Sequence, residues 1–162
     1  MLAAGAGSRF GGPKQRLLLP RVLERLGRTS VDEVVVVAGA YPLEPREGAR
    51  VVECPAWELG PGASLRCGLA ALGPDAEEAV VVLADGPRLA PEAVERVLAV
   101  RRASGADLVA ASYAGGRGHP LVLARALWDA VPDEGLRGLA PLLVPCDDLG
   151  APGDVDRRED PA

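Results

Sequence analysis

The sequence predicts an α/β domain with a mostly parallel sheet, and two observations carry this prediction. Two continuous apolar runs rich in valine, residues 34–38 and 79–84, have the composition of strands that are buried on both faces, as in parallel sheets. The segments around them carry apolar residues at helical spacing. Since strand and helix patterns alternate along the chain, helices packed on a parallel sheet are the expected architecture.

The remaining elements follow from the same patterns. Apolar spacing predicts helices over residues 16–28, 64–72 and 91–103, and the third opens with a proline, which suits the first helical position. Weaker strand patterns cover residues 107–112 and 120–123. In open parallel sheets ligands bind beyond the carboxyl ends of the strands. The polar and glycine-rich segments that follow the strands are therefore the candidates for function.

Bulk composition limits the class of protein. The 162 residues are expected to form one domain over residues 1–162, with 48% hydrophobic and 25% charged residues, as in globular proteins. A net charge of −5 disfavours general nucleic-acid binding. The sequence shows no membrane-spanning run and no signal peptide, so a cytoplasmic location is expected. Residues 41–55 and the tail from residue 150 are predicted to be loops.

The cysteines predict neither a metal site nor a disulfide framework. Cys54, Cys67 and Cys146 are odd in number, and their spacing matches no metal-binding motif. In the expected cytoplasmic location, thiols stay reduced. We therefore expect three reduced, partly buried thiols.

The chain opens with a glycine-rich segment, residues 2–14, which reads Leu-Ala-Ala-Gly-Ala-Gly-Ser-Arg-Phe-Gly-Gly-Pro-Lys. Glycines let the backbone approach a ligand closely, exposed N–H groups can form an anion-binding nest, and Arg9 and Lys14 add full charges. Lys14 is the only lysine of the chain. The segment is neither a Walker A loop nor a dinucleotide-binding fingerprint. The alternative is a flexible glycine-rich terminus without a ligand.

This segment resembles the signature loop of nucleotidyltransferases of the molybdenum cofactor cytidylyltransferase and molybdopterin–guanine dinucleotide synthase type. The resemblance implies a three-layer α/β/α, Rossmann-like fold of the nucleotide-diphospho-sugar transferase type. It also implies that the loop wraps the triphosphate of a nucleoside triphosphate. Arg9 and Lys14 would neutralise phosphates as catalytic residues, and the implied nucleotide-binding residues are Leu2, Ala3, Ala4, Gly5, Gly7, Ser8, Arg9 and Lys14.

Two acidic segments resemble the metal-binding positions of that family. Asp85 follows a strong strand in the sequence Leu-Ala-Asp-Gly-Pro, and the resemblance makes it a catalytic ligand of Mg²⁺. Asp156 lies in an acidic tail that partly matches a second family motif and would supply the other carboxylate. The alternatives are a turn or cap aspartate and a solvated tail. Cytidylyltransferases of this type usually carry glutamine where this chain has Gly86.

Three further positions match the family in order. Ser64 lies in Gly-Pro-Gly-Ala-Ser-Leu-Arg, where the family binds the nucleotide; by sequence alone Ser64 also resembles a helix N-cap. His119, the only histidine, lies in a Gly-His-Pro element that resembles the acceptor site, although a simple turn before a strand is the alternative. Arg137 follows Asp133-Glu134-Gly135 and is implied to hold the phosphate of a pterin acceptor.

The resemblance implies transfer of CMP from CTP to molybdopterin with release of pyrophosphate. Within the same family, guanylyl transfer from GTP or a sugar- or polyol-phosphate acceptor is the alternative. A non-catalytic nucleotide-binding accessory protein is the alternative of another class, because Gly86 and the altered tail depart from the family pattern. The implied protein partner is a molybdoenzyme or its chaperone.

Overall fold

The computed structural model describes residues 1–6 and 14–153, with the backbone alone for residues 14–16. This part of the chain holds three α-helices: α1 (Lys14–Leu26), α2 (Pro61–Ala71) and α3 (Pro91–Ser104). It also holds six strands: β1 (Val35–Ala38), β2 (Arg50–Glu53), β3 (Glu78–Val81), β4 (Leu108–Tyr113), β5 (Gly116–Ala124) and β6 (Leu142–Pro145). Short 3₁₀ turns cover Trp57–Leu59, Arg125–Ala130, Leu136–Gly138 and Asp147–Leu149.

The first residues of the chain join two groups of strands into one sheet. β1 pairs with β2, and β3, β5, β4 and β6 are neighbours in that order. Leu2 lies between the groups and forms parallel bridges with Val37 on one side and Leu83 on the other. Its N–H donates to the Val82 oxygen (2.9 Å) and its oxygen accepts from the Ala84 N–H (3.0 Å). The result is one mostly parallel sheet, as predicted, in which β5 runs antiparallel to both neighbours.

Helices cover both faces of this sheet, which confirms the α/β fold. Alternate residues of β4 point to opposite sides. Val109 packs in one cluster with Val97 of α3, whereas Ala110 packs in another with Leu69 of α2. The α3 side also receives Val22 of α1. This alternation, with period two along a strand, produces three layers.

The helices lie close to their predicted positions. α3 begins at Pro91, as expected, and ends before Gly105, which has a φ of 69° and takes the left-handed conformation that closes many helices. α1 covers Lys14–Leu26, two residues earlier than the predicted segment. Within the described ranges, no helix combines the length and the hydropathy that a bilayer crossing requires.

Two local predictions were wrong. Residues 41–55, predicted to be a loop, contain β2, which pairs with β1 so that Val51 lies beside Val36. Four residues among prolines give a weak local signal, and β2 is defined by its pairing with β1. α2 begins at Pro61 with Gly60 as its N-cap, so Ser64 is not an N-cap. Ser64 is buried inside the first turns of the helix, with 5% of its surface exposed.

The expectation of three reduced cysteines was also wrong for one pair. Cys54 and Cys67 form a disulfide in the structure, and Cys146 is free and buried. Cys54 follows β2 and Cys67 lies on the second turn of α2, which brings their Cα atoms to 5.7 Å, inside the range of disulfides. The closed loop contains the whole amino-terminal part of α2.

Candidate active site

The carboxyl edge of the sheet gathers several of the segments that sequence analysis singled out. Beyond Val81 the chain continues along Leu2 as far as Ala84, whose N–H donates to the Leu2 oxygen. Asp85 is the next residue. Gly5 leaves the neighbouring segment at the same edge, after Ala4 accepts a hydrogen bond from the Ala40 N–H (3.0 Å). Asp85 is half-buried. A carboxylate and a glycine-rich loop thus emerge side by side where open α/β sheets bind ligands.

The residues before the glycine-rich loop also have a structural role. Leu2 uses both its backbone groups in the sheet, and Ala3 and Ala4 are buried in the core. A Cβ on Gly39 would lie 2.7 Å from the Ala4 Cβ, so the chain passes very close to the end of β1. Nucleotide binding by Leu2, Ala3, Ala4 and Gly5 stays a prediction.

Several predicted site residues fall outside what the structure describes. Gly7, Ser8 and Arg9 precede Lys14 in a segment that lies outside the described residues, as does Asp156 in the tail. Lys14 is the first residue of α1, and its side chain is not among those described. Their implied roles stay predictions.

The antiparallel strand β5 brings His119 to the same edge as Asp85. Val81 lies opposite Leu121, and the two strands run in opposite directions. Asp85, which follows β3, and His119, which precedes Leu121, therefore lie at the same edge. Burial, reinforced by the positive charge of Arg117, lowers the pKa of His119 to about 4, while the charge of Asp85 acts in the opposite direction. His119 is therefore a neutral imidazole at pH 7 that can donate or accept a hydrogen bond.

Arg117 is a structural link that sequence analysis missed. Its Nη1 donates to the backbone oxygens of Leu136 (2.8 Å) and Leu139 (2.9 Å), and burial lowers the pKa of its guanidinium. These bonds hold the 3₁₀ turn that carries the exposed side chain of Arg137. The only signal in the sequence was proximity, because Arg117 stands two residues before the only histidine.

The amino end of α2 packs against the segment that leads to Arg137. The Gly62 N–H donates to the Asp133 oxygen (2.9 Å), and Arg66 Nη1 donates to the Val131 oxygen (2.6 Å) and forms an ion pair with Asp133. A Cβ on Gly62 would lie 1.7 Å from the Pro132 oxygen. The structure therefore joins the Ser64 element and the Arg137 element into one wall.

The carboxylate of Asp85 suits a metal that is shared with a phosphate ligand. Over the described residues, no group of three or more His, Cys, Asp or Glu side chains could form an all-protein metal site. Mg²⁺ is usually held by one or two carboxylates together with substrate phosphates. One half-buried aspartate at the edge where the glycine-rich segment begins fits that chemistry.

A cavity of about 500 Å³ lies at the opposite edge of the sheet. It is lined by Val34 directly before β1, by β3 and by Met1, whose amine donates to the Val35 oxygen (2.7 Å). Burial lowers the pKa of that amine to about 5. The candidate site residues Asp85, His119 and Arg137 are absent from its lining. The cavity is therefore separate from the predicted site residues at the carboxyl edge.

Comparisons with known proteins identify the family of the chain. Residues 1–144 match the family model of the MobA-like NTP transferase domain. No curated protein matches the sequence significantly.

Solved structures share the fold over most of the chain. The Rv0371c homologue from Mycobacterium sp. strain JC1 has a TM-score of 0.79 and 28% identity, and the match covers 97% of this chain and 88% of that one. Rv0371c from Mycobacterium tuberculosis H37Rv, solved with manganese, has a TM-score of 0.67 and 25% identity, covering 90% and 85%. Molybdopterin-guanine dinucleotide biosynthesis protein A from Archaeoglobus fulgidus, at 18% identity and TM-score 0.65 over 91% and 83%, shows the same fold.

Proposed function

Because the chain belongs to the MobA-like NTP transferase family, we propose that it transfers CMP from CTP to a molybdopterin-type phosphate acceptor and releases pyrophosphate. One observation carries the proposal. Asp85, His119 and Gly5, at which the glycine-rich segment leaves the sheet, lie at the carboxyl edge of the sheet, beyond the end of β3. We further propose a cytoplasmic location, where reducing conditions would keep Cys54 and Cys67 as thiols, and a molybdoenzyme or its chaperone as the protein that receives the product.

The transfer needs positioned charges more than a reactive side chain. An oxygen of the acceptor phosphate attacks the α-phosphorus, the bond from that phosphorus to the bridging oxygen breaks, and the electron pair leaves with pyrophosphate. Arg9 and Lys14 neutralise the departing charge, and Gly5, Gly7 and Ser8 offer backbone or hydroxyl donors to the phosphates. Such a reaction is accelerated mainly by orientation and electrostatic stabilisation.

A divalent cation completes the proposed site. Asp85 and Asp156 would hold Mg²⁺, which neutralises phosphate charge when bound. The manganese in the structure of Rv0371c supports divalent-metal use by this chain. The backbone of Asp85 is held at the end of the sheet, because it follows Ala84, whose N–H donates to the Leu2 oxygen.

The far wall of the site is proposed to bind the acceptor. His119 is neutral at pH 7, so it can form a hydrogen bond to the pterin and adds no charge to the site. Arg137 is exposed on a turn that Arg117 anchors, and its guanidinium suits the terminal phosphate. Ser64, at the amino end of α2, is proposed to contact the nucleotide.

Guanylyl transfer from GTP is the second candidate, and Gly86 favours it because the glutamine usual in cytidylyltransferases is missing. The test is to incubate the protein with each of the four nucleoside triphosphates, Mg²⁺ and molybdopterin, and to measure pyrophosphate release. Release with CTP alone supports the proposal, and release with GTP alone supports the second candidate. Nucleotide binding without release for molybdopterin and for sugar- or polyol-phosphate acceptors would overturn the enzymatic function.

A further inference from the structure

The strand that carries His119 is irregular at that residue. The register of β4 against β5 shifts between Ala110 and Ser112, so residues 118–120 of β5 oppose a single residue of β4 there. Such a bulge turns a side chain away from the regular alternation of the strand, and bulges are common beside active sites. His119 is the middle residue of this bulge, so its direction depends on what holds the bulge in place.

Tyr113 of β4 holds the bulge through its hydroxyl group. Within the described chain, residue 119 has no paired residue on β4. The Tyr113 hydroxyl instead donates to the His119 backbone oxygen at 3.1 Å. Burial raises the pKa of Tyr113 to about 12, so the hydroxyl keeps its proton at pH 7 and can act as the donor. A side-chain bond therefore joins the two strands where the register is interrupted.

The ring of Tyr113 also fixes the residue before His119. A Cβ on Gly118 would lie 2.8 Å from Cδ2 and 2.9 Å from Cε2 of the Tyr113 ring. Real Cβ atoms essentially never come within 3.0 Å of another residue, so the ring can take this place only because residue 118 is glycine. The ring contact and the hydroxyl bond hold the backbone at two successive residues of the bulge.

The bulge also begins next to an anchored residue. Arg117 precedes it and donates to two backbone oxygens of the 3₁₀ turn that carries Arg137. One short segment of β5 therefore connects both proposed acceptor contacts, His119 and Arg137. Tyr113 holds this segment from β4, on the side of the imidazole.

We propose that Tyr113 is a positioning residue of the acceptor site: its hydroxyl bond to the His119 oxygen and its ring contact with Gly118 fix the bulge that holds the His119 imidazole at the carboxyl edge. The inference rests on the proposed function, because it takes His119 as a contact of the acceptor. Without these two contacts the bulge can change its backbone conformation, and the imidazole then takes more than one position relative to Arg137.

The position of the imidazole can be measured without any ligand. The chain has one histidine, so the imidazole Hε1 proton gives one resonance in the NMR spectrum. Tyr113→Phe removes the hydroxyl and keeps the ring, whereas Gly118→Ala displaces the ring. At pH 7 we expect the Hε1 resonance to broaden or to divide into several signals in both variants. A purely structural role of Tyr113 would lower Tm and leave this resonance unchanged in the folded protein.

Kinetics measures the consequence for the acceptor, in the pyrophosphate-release assay with CTP and molybdopterin. We expect Tyr113→Phe to raise KM for molybdopterin by about 2- to 10-fold, which corresponds to the contribution of one hydrogen bond. The KM for CTP and kcat are expected to stay at the wild-type values. In the double variant with His119→Ala, Tyr113→Phe should add nothing to the effect of His119→Ala, because coupled residues give non-additive effects.

Gly116→Ala is the matched control for Gly118→Ala. Gly116 is exposed on the same strand, and the nearest atom to its added Cβ is the Tyr113 backbone oxygen at 3.4 Å, away from the ring. We expect this variant to keep the wild-type Hε1 resonance and the wild-type KM for molybdopterin. Thermal unfolding verifies that each variant folds. If Gly118→Ala does not fold, Tyr113→Phe, which removes a single oxygen, carries the test.

The outcomes separate the inference from the proposed function. A wild-type Hε1 resonance in folded Tyr113→Phe overturns the positioning role, and so does an additive increase of KM in the double variant. A wild-type KM for molybdopterin in His119→Ala overturns the acceptor contact that the inference assumes. If the wild type releases no pyrophosphate with any acceptor, the proposed function is overturned, and the NMR spectra alone decide whether Tyr113 positions the imidazole.

Discussion

At the scale of single residues, His119 shows how position changes chemistry. It lies at the start of an internal strand, where burial and Arg117 lower its pKa to about 4. In the unfolded chain a histidine takes up a proton near pH 6.5. The folded protein therefore keeps a neutral imidazole over a pH range in which the same histidine is charged in the unfolded chain.

This difference predicts a pH dependence of stability. Between pH 6.5 and about 4 the unfolded chain binds a proton that the folded protein does not, so the free energy of unfolding falls as the pH falls. The shift sets an upper limit of about 3 kcal/mol on this contribution. Urea titrations at pH 7 and pH 4.5 measure it. We expect a smaller pH dependence in His119→Gln, and an identical dependence in both proteins would contradict the assignment.

Lys14 gives the second prediction at this scale. It is the only lysine beside 17 arginines, and we propose that its ammonium acts as a compact charge on phosphate. Arginine is planar and larger, so the two do not substitute for one another in a crowded site. We expect Lys14→Arg to lower kcat by about tenfold or more, with unchanged thermal unfolding. Arg21→Lys, on the exposed part of α1, is the control. Wild-type kinetics in Lys14→Arg would remove its special role.

Residues with a local signal can be predicted from the sequence. Asp85 stands directly after an unbroken apolar run, residues 79–84, and a strand followed by an acidic turn is visible without any structure. The role of Arg117 was not visible, because it depends on the backbone oxygens of Leu136 and Leu139, about twenty residues away. Ser64 was misplaced on its helix because Pro61 and Gly60 supplied the actual start.

At the scale of elements, α2 is fixed at two points. The disulfide from Cys67 ties it to the end of β2, and Arg66 and Gly62 tie it to residues 131–133. The proposed nucleotide contact Ser64 lies between these anchors. The position of this wall therefore depends on the contacts of α2 with Cys54 on one side and with residues 131–133 on the other.

The disulfide gives a prediction for this element. Cys54 and Cys67 are 13 residues apart, and closure of a loop of that length restricts the unfolded chain by about 3 kcal/mol. For a protein of this size, that loss corresponds to a decrease of roughly 6–12 °C in Tm. We expect reductant to lower Tm of the wild type and to leave the Cys54→Ala, Cys67→Ala double variant unchanged. Equal Tm values with and without reductant would show that the bond does not stabilise the fold.

Elements differ in how far the sequence could predict them. α3 was predicted closely because proline and glycine mark its two ends. β2 was missed because its two valines are flanked by prolines and charged residues, and its strand conformation depends on pairing with β1. The disulfide was missed for a similar reason, since only the packing of α2 on β1 and β2 brings the two cysteines together.

At the scale of the whole molecule, the sheet is what assembles the site. Leu2 joins β1 to the end of β3, and β5 runs against its neighbours, which returns His119 to the edge where Asp85 lies. The alternation of strands and helices predicted the layers, but the reversed strand follows from long-range pairing that composition does not encode. The family resemblance supplied the order of the motifs, and the sheet explains how distant motifs become neighbours.

We propose above all that this edge of the sheet transfers a nucleotidyl group, with Asp85 as a metal ligand. The most direct measurement is the rate of pyrophosphate release with CTP, molybdopterin and Mg²⁺ for the wild type, Asp85→Ala and Asp129→Ala. Asp129 is exposed on the turn after β5, at the other edge of the sheet, and serves as the matched control. We expect Asp85→Ala to lose about 100-fold or more of the rate while Asp129→Ala keeps it. A wild-type rate in Asp85→Ala would contradict the account.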